Sequence, residues 1–469
     1  MKILILSIFI SFNLFASLNY SLLNNVKSNK YNYLKFAKNL VDNKMYMSAV
    51  PFLKEYIAKG GSRNKKLLDY LVDTVIDQVG VRQFEVLPFS ILDQISTPVI
   101  HYIKARKYFR KGKLNRSLKE LSGTIGNNHL VKPFALLLEG TIHSMKGRHK
   151  SARKSFESCR NKSNQNLRKA KNNRKKRQLK INLENCLAGI ARDYFSYGKY
   201  VKAQSAYLDI DKNSFIWPEL LFEEAWNSFY LKDYNRTLGK LVTYKAPILS
   251  FIFNPEIHIL RAMTYLKLCL WSDMNKVVDN FYTKYERQSE LLNRFIQSKG
   301  KNYRYYYLLA NSRLHGKKRG GYIINKIINK IIKDPSFIEI YDGLVIAKKE
   351  VNYFKNSKRT RSSKVVLNIL KDAVLLQQNL IGAYVRKEFL IARAQLNKAF
   401  EGMSFIKLSI LSKRKNDIYS GVESVSRVRG DIKYLQRTEK QYFWSFNGEF
   451  WADELGDYVF TLRSECGEK

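Results

Sequence analysis

Residues 187–207 read Leu187-Ala188-Gly189-Ile190-Ala191-Arg192-Asp193-Tyr194-Phe195-Ser196-Tyr197-Gly198-Lys199-Tyr200-Val201-Lys202-Ala203-Gln204-Ser205-Ala206-Tyr207. Leu187, Ala191 and Tyr194 step by four and three, the spacing of one face of a helix. Gly198 marks a turn. Ala203 and Tyr207, four apart, then open a second helix. The same order returns as Tyr33, Phe36, Ala37, Leu40, Ala49 and Leu53, and as Ala105, Tyr108, Gly112, Ser117 and Leu121. It returns again as Leu136, Gly140, His143, Gly147, Ala152 and Phe156. Leu221, Ala225, Ser228, Thr237 and Leu241 repeat it, and so do Ala262, Tyr265, Met274 and Val278.

The anchors of the second helices stand at 49, 117, 152, 203, 237 and 274, at intervals of 68, 35, 51, 34 and 37. The first interval is two periods, which predicts a degenerate hairpin in 62–95. There Leu67, Leu68, Leu71, Val72, Val75 and Val79 carry helical apolar spacing. The interval of 51 is one period with 17 additional residues. A helix-turn-helix period near 34 is the tetratricopeptide signature, and residues 31–285 resemble that family. The resemblance implies an all-α fold, an α-solenoid over 17–285, with small residues where helices approach closely and bulky ones filling the grooves. An unrelated helical solenoid of similar period is the alternative. Such an array carries no chemistry of its own; its product is a surface on which peptides or partner helices lie.

The chain has 469 residues, 45% of them hydrophobic, which is enough material for packed cores and excludes whole-chain disorder. Lys and Arg number 83 against 40 Asp and Glu, giving +43. Met1-Lys2, the apolar stretch 3–15 and Ala16-Ser17 have the layout of a signal peptide over 1–16, too short for a comfortable span. An uncleaved N-terminal anchor is the competing reading. The first cysteine is Cys159, so no lipid attachment follows residue 16, and no later stretch is apolar enough for a membrane helix. The expected location is the periplasm. Export changes what a basic chain implies. The available polyanions become lipopolysaccharide, peptidoglycan carboxylates and anionic membrane, and nucleic acid becomes the minor reading.

The 17 additional residues fall in 160–180, which holds ten bases and no acid. Arg168, Lys169, Lys171, Arg174, Lys175, Lys176 and Arg177 are the candidate polyanion-binding residues. Solvated helix ends in a lysine-rich chain are the bland alternative. Cys159 and Cys186 bracket the insertion and form a candidate disulfide in an oxidising compartment, with two buried thiols as the alternative. Cys269 and Cys466 are the remaining pair.

Residues 286–358 read as additional helices. His315-Gly316-Lys317-Lys318-Arg319-Gly320-Gly321 lacks the strand before it and the Ser or Thr after Lys that a phosphate-binding loop requires. Over 359–440 the expectation is a long helical hairpin or coiled coil. Val366, Ile369, Ala373, Leu376, Leu380 and Ala383 supply the seam, Lys413 to Asp417 a break, and Val425, Val428, Ile432 and Leu435 a second helix.

Residues 441–469 are aromatic and acidic, unlike everything before them. Trp444, Phe446, Gly448, Glu449, Trp451, Asp453, Glu454, Leu455, Gly456 and Tyr458 form a terminal motif. Aromatics docking on the helices, with acids meeting basic surface, is favoured over a catalytic carboxylate set of Glu449, Asp453 and Glu454. An exported tetratricopeptide array, a long helical section and this motif together resemble a deltaproteobacterial envelope family that includes a periplasmic component associated with gliding (adventurous) motility. That resemblance implies a noncatalytic part of an envelope assembly whose partners are envelope proteins. None of the six His stands in a metal-ligand spacing, and no cofactor is expected. Three functions follow in order: a periplasmic scaffold, an envelope polyanion binder, and an enzyme acting through the terminal carboxylates.

Overall fold

A computed structural model describes residues 31–61, 64–356, 361–417, 432, 435 and 437–466. The signal segment and the second helix expected around Val425 and Val428 lie outside the described residues. The fold is all-α. Its helices are α1 (Tyr31–Asp42), α2 (Tyr46–Ala58), α3 (Lys65–Val79), α4 (Arg82–Glu85), α5 (Phe89–Leu92), α6 (Pro98–Arg110) and α7 (Leu114–Leu121). They continue as α8 (Lys132–Met145), α9 (His149–Lys169), α10 (Asn173–Ser196), α11 (Tyr200–Tyr207), α12 (Trp217–Tyr230) and α13 (Tyr234–Val242). Then come α14 (Glu256–Lys267), α15 (Trp271–Lys299), α16 (Tyr303–Leu314), α17 (Tyr322–Lys333), α18 (Pro335–Asn356) and α19 (Arg361–Asp417). Two strands of two residues, β1 (Trp444–Ser445) and β2 (Tyr458–Val459), pair in parallel. Among the described residues no helix is long and apolar enough to cross a membrane.

Six helical hairpins share one turn. Lys44, Gly112, Gly147, Gly198, Lys232 and Cys269 all have φ between 56° and 71° and stand five residues before the six anchors. At each, the N–H of the next residue donates to the carbonyl four residues before the turn residue, as Lys199 to Tyr194 and Asp233 to Ser228. This 6→1 bond is the Schellman closure of a helix, and it satisfies a carbonyl that the helix end would otherwise leave bare. The anchors Ala49, Ser117, Ala152, Ala203, Thr237 and Met274 are all fully buried. So are the bulky residues four positions later, Leu53, Leu121, Phe156, Tyr207, Leu241 and Val278, to within 3%. A Cβ on Gly140 would lie 2.6 Å from the Phe156 ring, so α8 and α9 meet where only glycine fits. The degenerate stretch 62–95 forms α3 followed by the single turns α4 and α5.

The chain divides into two compact units, Met1–Ala135 with Ser336–Ile381, and Leu136–Pro335 with Gly382–Lys469. In the first, Glu350 on α18 accepts hydrogen bonds from the Met47 and Ser48 N–H groups and caps α2. The bases of α6 are matched there: Arg106 and Arg110 meet Glu85, and Lys104 meets Asp93 and Glu120. In the second unit the buried Asp193 ties three helices together. It accepts from Ser144, His149 and Arg153 at 2.8, 2.9 and 2.7 Å.

The long helix is described as far as Asp417, the end of the stretch where a break is expected, and 418–431 lie outside the described residues; its seam differs from the expected one. Its buried stripe is Val366, Leu370, Gln377 and Ile381 in the first unit, then Val385, Phe389, Ala392, Leu396, Ala399 and Met403 in the second. Leu376, assigned to the seam, is 40% exposed. The stripe is taken up by the chain itself. In the second unit Phe389 packs 5.2 Å from Phe295, and Phe400 packs 4.9 Å from Phe281. A Cβ on Gly382 would strike the Tyr303 carbonyl at 1.9 Å, so the helix lies directly on backbone there.

Candidate functional site

Three features of the second unit bear on function: an open aromatic groove, the basic insertion, and the terminal segment. The groove forms where α10 and α12, the first helices of successive hairpins, run past each other with Tyr207 of α11 beneath. A cavity of about 410 Å³ is lined by Arg192, Phe195, Tyr207, Glu223, Trp226 and Tyr230. Tyr230 stacks on Tyr200 at 5.1 Å and meets Phe195 edge-on at 5.4 Å. Arg192 donates a two-pronged pair of hydrogen bonds to Glu223, at 2.8 and 2.7 Å, and the Tyr207 hydroxyl donates to the same carboxylate at 3.1 Å. Burial, then the Glu223 charge, pushes the Tyr207 hydroxyl well above its ordinary pKa, so it stays a donor.

The groove therefore offers aromatic faces and edges beside a fixed, self-neutralised polar pair. Apolar or aromatic side chains fit the rings, while Arg192 and Glu223 keep capacity for a peptide backbone. Tyr230 is 49% exposed, which leaves the rings accessible. The equivalent surface farther along is already covered. Lys398 of α19 pairs with Glu256 of α14 at 3.0 Å, and Gly402 lies against Ile259. None of the groove residues stood among the sequence candidates, because Arg192 and Glu223 are 31 positions apart and only the hairpin pairing brings them together.

The insertion is built from helix ends. Arg168 and Lys169 close α9, Lys171 stands in the connection, and Arg174, Lys175, Lys176 and Arg177 open α10. Arg168, Lys169, Lys171 and Lys176 are exposed. Asn172 caps α10 by accepting from the Arg174 N–H at 2.8 Å. The first turn of α10 holds no acid, so bases crowd the positive end of a helix dipole, where anions are favoured and cations are not. Cys159 and Cys186 are bonded at the base of this extension, with Cα atoms 5.9 Å apart, packed against Leu136.

The terminal segment lies as a strap over α11 to α14. Leu455 and Tyr458 enter one core with Trp217, Leu221, Val242 and Leu249. A Cβ on Gly239 would fall 1.6 Å from the Tyr458 carbonyl, so the strap rests on the backbone of α13. Gly456, at φ 88°, donates to the Thr243 hydroxyl at 3.1 Å and sits against Trp217. Its carbonyl receives Lys240, which also holds the buried Glu224. Lys212 donates to Asp457 at 2.6 Å and to the Asp453 carbonyl at 3.0 Å, and Asn235 pairs with the Leu462 backbone in both directions. Arg236 lies 4.7 Å over the Phe443 ring, and a Cys269–Cys466 bond fastens the end.

The terminal motif thus splits by side. Phe446, Leu455, Gly456 and Tyr458 face the helices, and Gly448 makes the turn at φ 104°. Trp444, Glu449, Trp451 and Asp453 are exposed, and Glu454 is half-buried beside Tyr458. Among the described residues no group of three His, Cys, Asp or Glu is placed to hold a metal ion. A scan against protein-family models finds no match to this chain, and a search of curated proteins finds none.

Proposed function

We propose that this chain is a noncatalytic exported scaffold, a tetratricopeptide-like α-solenoid whose aromatic groove holds a segment of a partner protein in a cell-envelope assembly. The observation that carries the reading is the conjunction of six identical Schellman turns at the repeat intervals with an open aromatic groove between two first helices. Repeats of that kind present side chains of their first helices to extended or helical partners. Trp226 and Tyr230 would anchor the partner, and Arg192 with Glu223 would set its register. A motility-related assembly, of the kind the terminal motif resembles, is the narrower form of the proposal.

The test is affinity purification of tagged protein from its own cells, at low and high salt, with mass spectrometry. The reading expects a discrete set of envelope proteins that survives high salt with the wild type and is lost with Trp226→Ala/Tyr230→Ala. Recovery of the same set with that variant contradicts it.

A second reading rests on the acid-free first turn of α10: the insertion holds an anionic envelope polymer or membrane surface. It expects retention on lipopolysaccharide that falls steeply with salt and with Lys175→Glu/Lys176→Glu.

A further inference from the structure

The polar lining of the aromatic groove is lopsided. Glu223, the acid among its lining residues, is already met by Nε and Nη2 of Arg192 and by the Tyr207 hydroxyl. The helix-end carbonyls nearby are taken as well. On α10, Asp193, Tyr194 and Phe195 accept from the N–H groups of Tyr197, Lys199 and Gly198. On α12, Asn227, Ser228 and Phe229 accept from those of Leu231, Asp233 and Lys232. Donors remain. The Arg192 side chain is 48% exposed and spends only part of its fork on Glu223, which leaves Nη1 open. Among the described residues the Trp226 indole N–H and the Tyr230 hydroxyl make no hydrogen bond within the chain. Beside these donors stands a box of rings, in which Tyr200 and Tyr230 stack at 5.1 Å and Phe195 meets them edge-on at 5.5 and 5.4 Å.

We propose that the groove takes a proline-rich extended segment of a partner protein, a form of the scaffold reading that rests on it and narrows the partner's chemistry. A proline brings a carbonyl and no N–H, so such a segment presents acceptors where the groove presents donors. An ordinary peptide in the same place strands its N–H groups against a carboxylate that is already occupied, and buried donors without acceptors weaken binding. Proline rings lie on aromatic faces, and the polyproline II helix is extended before it binds, so little chain entropy is lost. Trp226 and Tyr230 supply the faces, and Arg192 donates to the carbonyls between the rings. The same arginine disfavours the other ligand that aromatic boxes hold, a quaternary ammonium, because its charge has neutralised Glu223 and repels a second cation. The segment comes from outside the chain. All 8 prolines here lie within helices or immediately before them, so a second copy does not supply it.

Isothermal titration of the full chain with blocked octaproline tests this. The wild type should give a saturable isotherm, and a blocked octamer of alternating Ala and Gln, which restores every N–H, should bind about tenfold more weakly or worse. Tyr230→Ala, at a ring that is 49% exposed, should weaken octaproline by about tenfold. Trp226→Phe, which keeps a ring and removes the N–H, should weaken it less, and it decides the matter if thermal melts show that Tyr230→Ala does not fold. No saturable isotherm with octaproline, equal binding of the Ala-Gln octamer, an unchanged Kd in a folded variant, or displacement of the peptide by choline overturns the inference. Capture from cells judges the scaffold reading separately. Envelope partners that need Trp226 and Tyr230 but are not released by octaproline leave the scaffold standing and overturn its proline-rich form. A captured set indifferent to the groove variant contradicts the scaffold reading and this form with it.

Discussion

Residues 160–180 and 441–466 both leave the run of hairpins, and both are fastened by a cystine, yet they end in opposite states. The insertion carries ten bases and no acid, and its exposed bases stand in water. The terminal segment mixes aromatics with acids and is folded down onto α11 to α14. What differs is the surface that each segment meets. Trp217, Thr243, Asn235 and Lys212 wait for the terminal segment. The insertion instead adds more positive charge to a helix end that is already positive. One segment is folded onto the helices it meets, and the other keeps Arg168, Lys169, Lys171 and Lys176 exposed.

The largest effect should come from the cystines. In the chain-entropy treatment, removing Cys269–Cys466, with a separation of 197, costs about 5 kcal/mol, and removing Cys159–Cys186, with a separation of 27, costs about 3–4. Denaturant melts of the two Cys→Ser double variants check the order. A reversed order would mean that the strap is held without its clip. Next comes Gly239→Ala. In an open helix this change stabilises by about 1 kcal/mol. Here the added methyl meets the Tyr458 carbonyl, so a loss of about 2–3 kcal/mol and faster proteolysis of residues 441–466 are expected. A gain in stability would show that the strap is not seated on α13.

Acid separates framework from insertion. Burial, then Arg261, Lys284 and Lys245, pull His258 down to about 3, below its unfolded value near 6.5. Its contribution is fully present above pH 6.5 and is lost as the pH falls from there toward 3, because the unfolded chain takes the proton first. Thermal melts across that window should fall more steeply for the wild type than for His258→Gln. The smallest effect belongs to the insertion. Lys175→Glu/Lys176→Glu should shift stability by no more than about 1 kcal/mol, upward, since acids suit a helix N-terminus. Retention on anionic polymer should drop in the same variant.

The hairpins were legible because each carries a small residue, a bulky one four later and a turn residue at a fixed distance. Gly198 and Ala203 are unmistakable, but Lys232 and Cys269 occupy the same left-handed turn position without the glycine that announces it. The insertion was legible from its missing acids. The strap's seat was not. Gly239 reads as an ordinary helix glycine until Tyr458 is placed on it, and Glu224 and Lys240 acquire meaning only as a buried pair. The seam of α19 slipped by one position because 373–376 is apolar all round, so several stripes fit, and the stripe actually buried includes the polar Gln377. Gln377 donates to Gln83 at 2.9 Å, a contact 294 residues away that no local pattern reports.

The groove is where the scaffold reading stands or falls, and a photo-crosslinking amino acid placed at position 230 probes it in living cells. With the same crosslinker at position 176 as the comparison, the scaffold reading predicts one or a few discrete protein adducts from 230 that vanish when Trp226 is also changed to Ala. Adducts from 176 alone, or adducts from 230 indifferent to Trp226, would contradict it and move the function to the basic insertion.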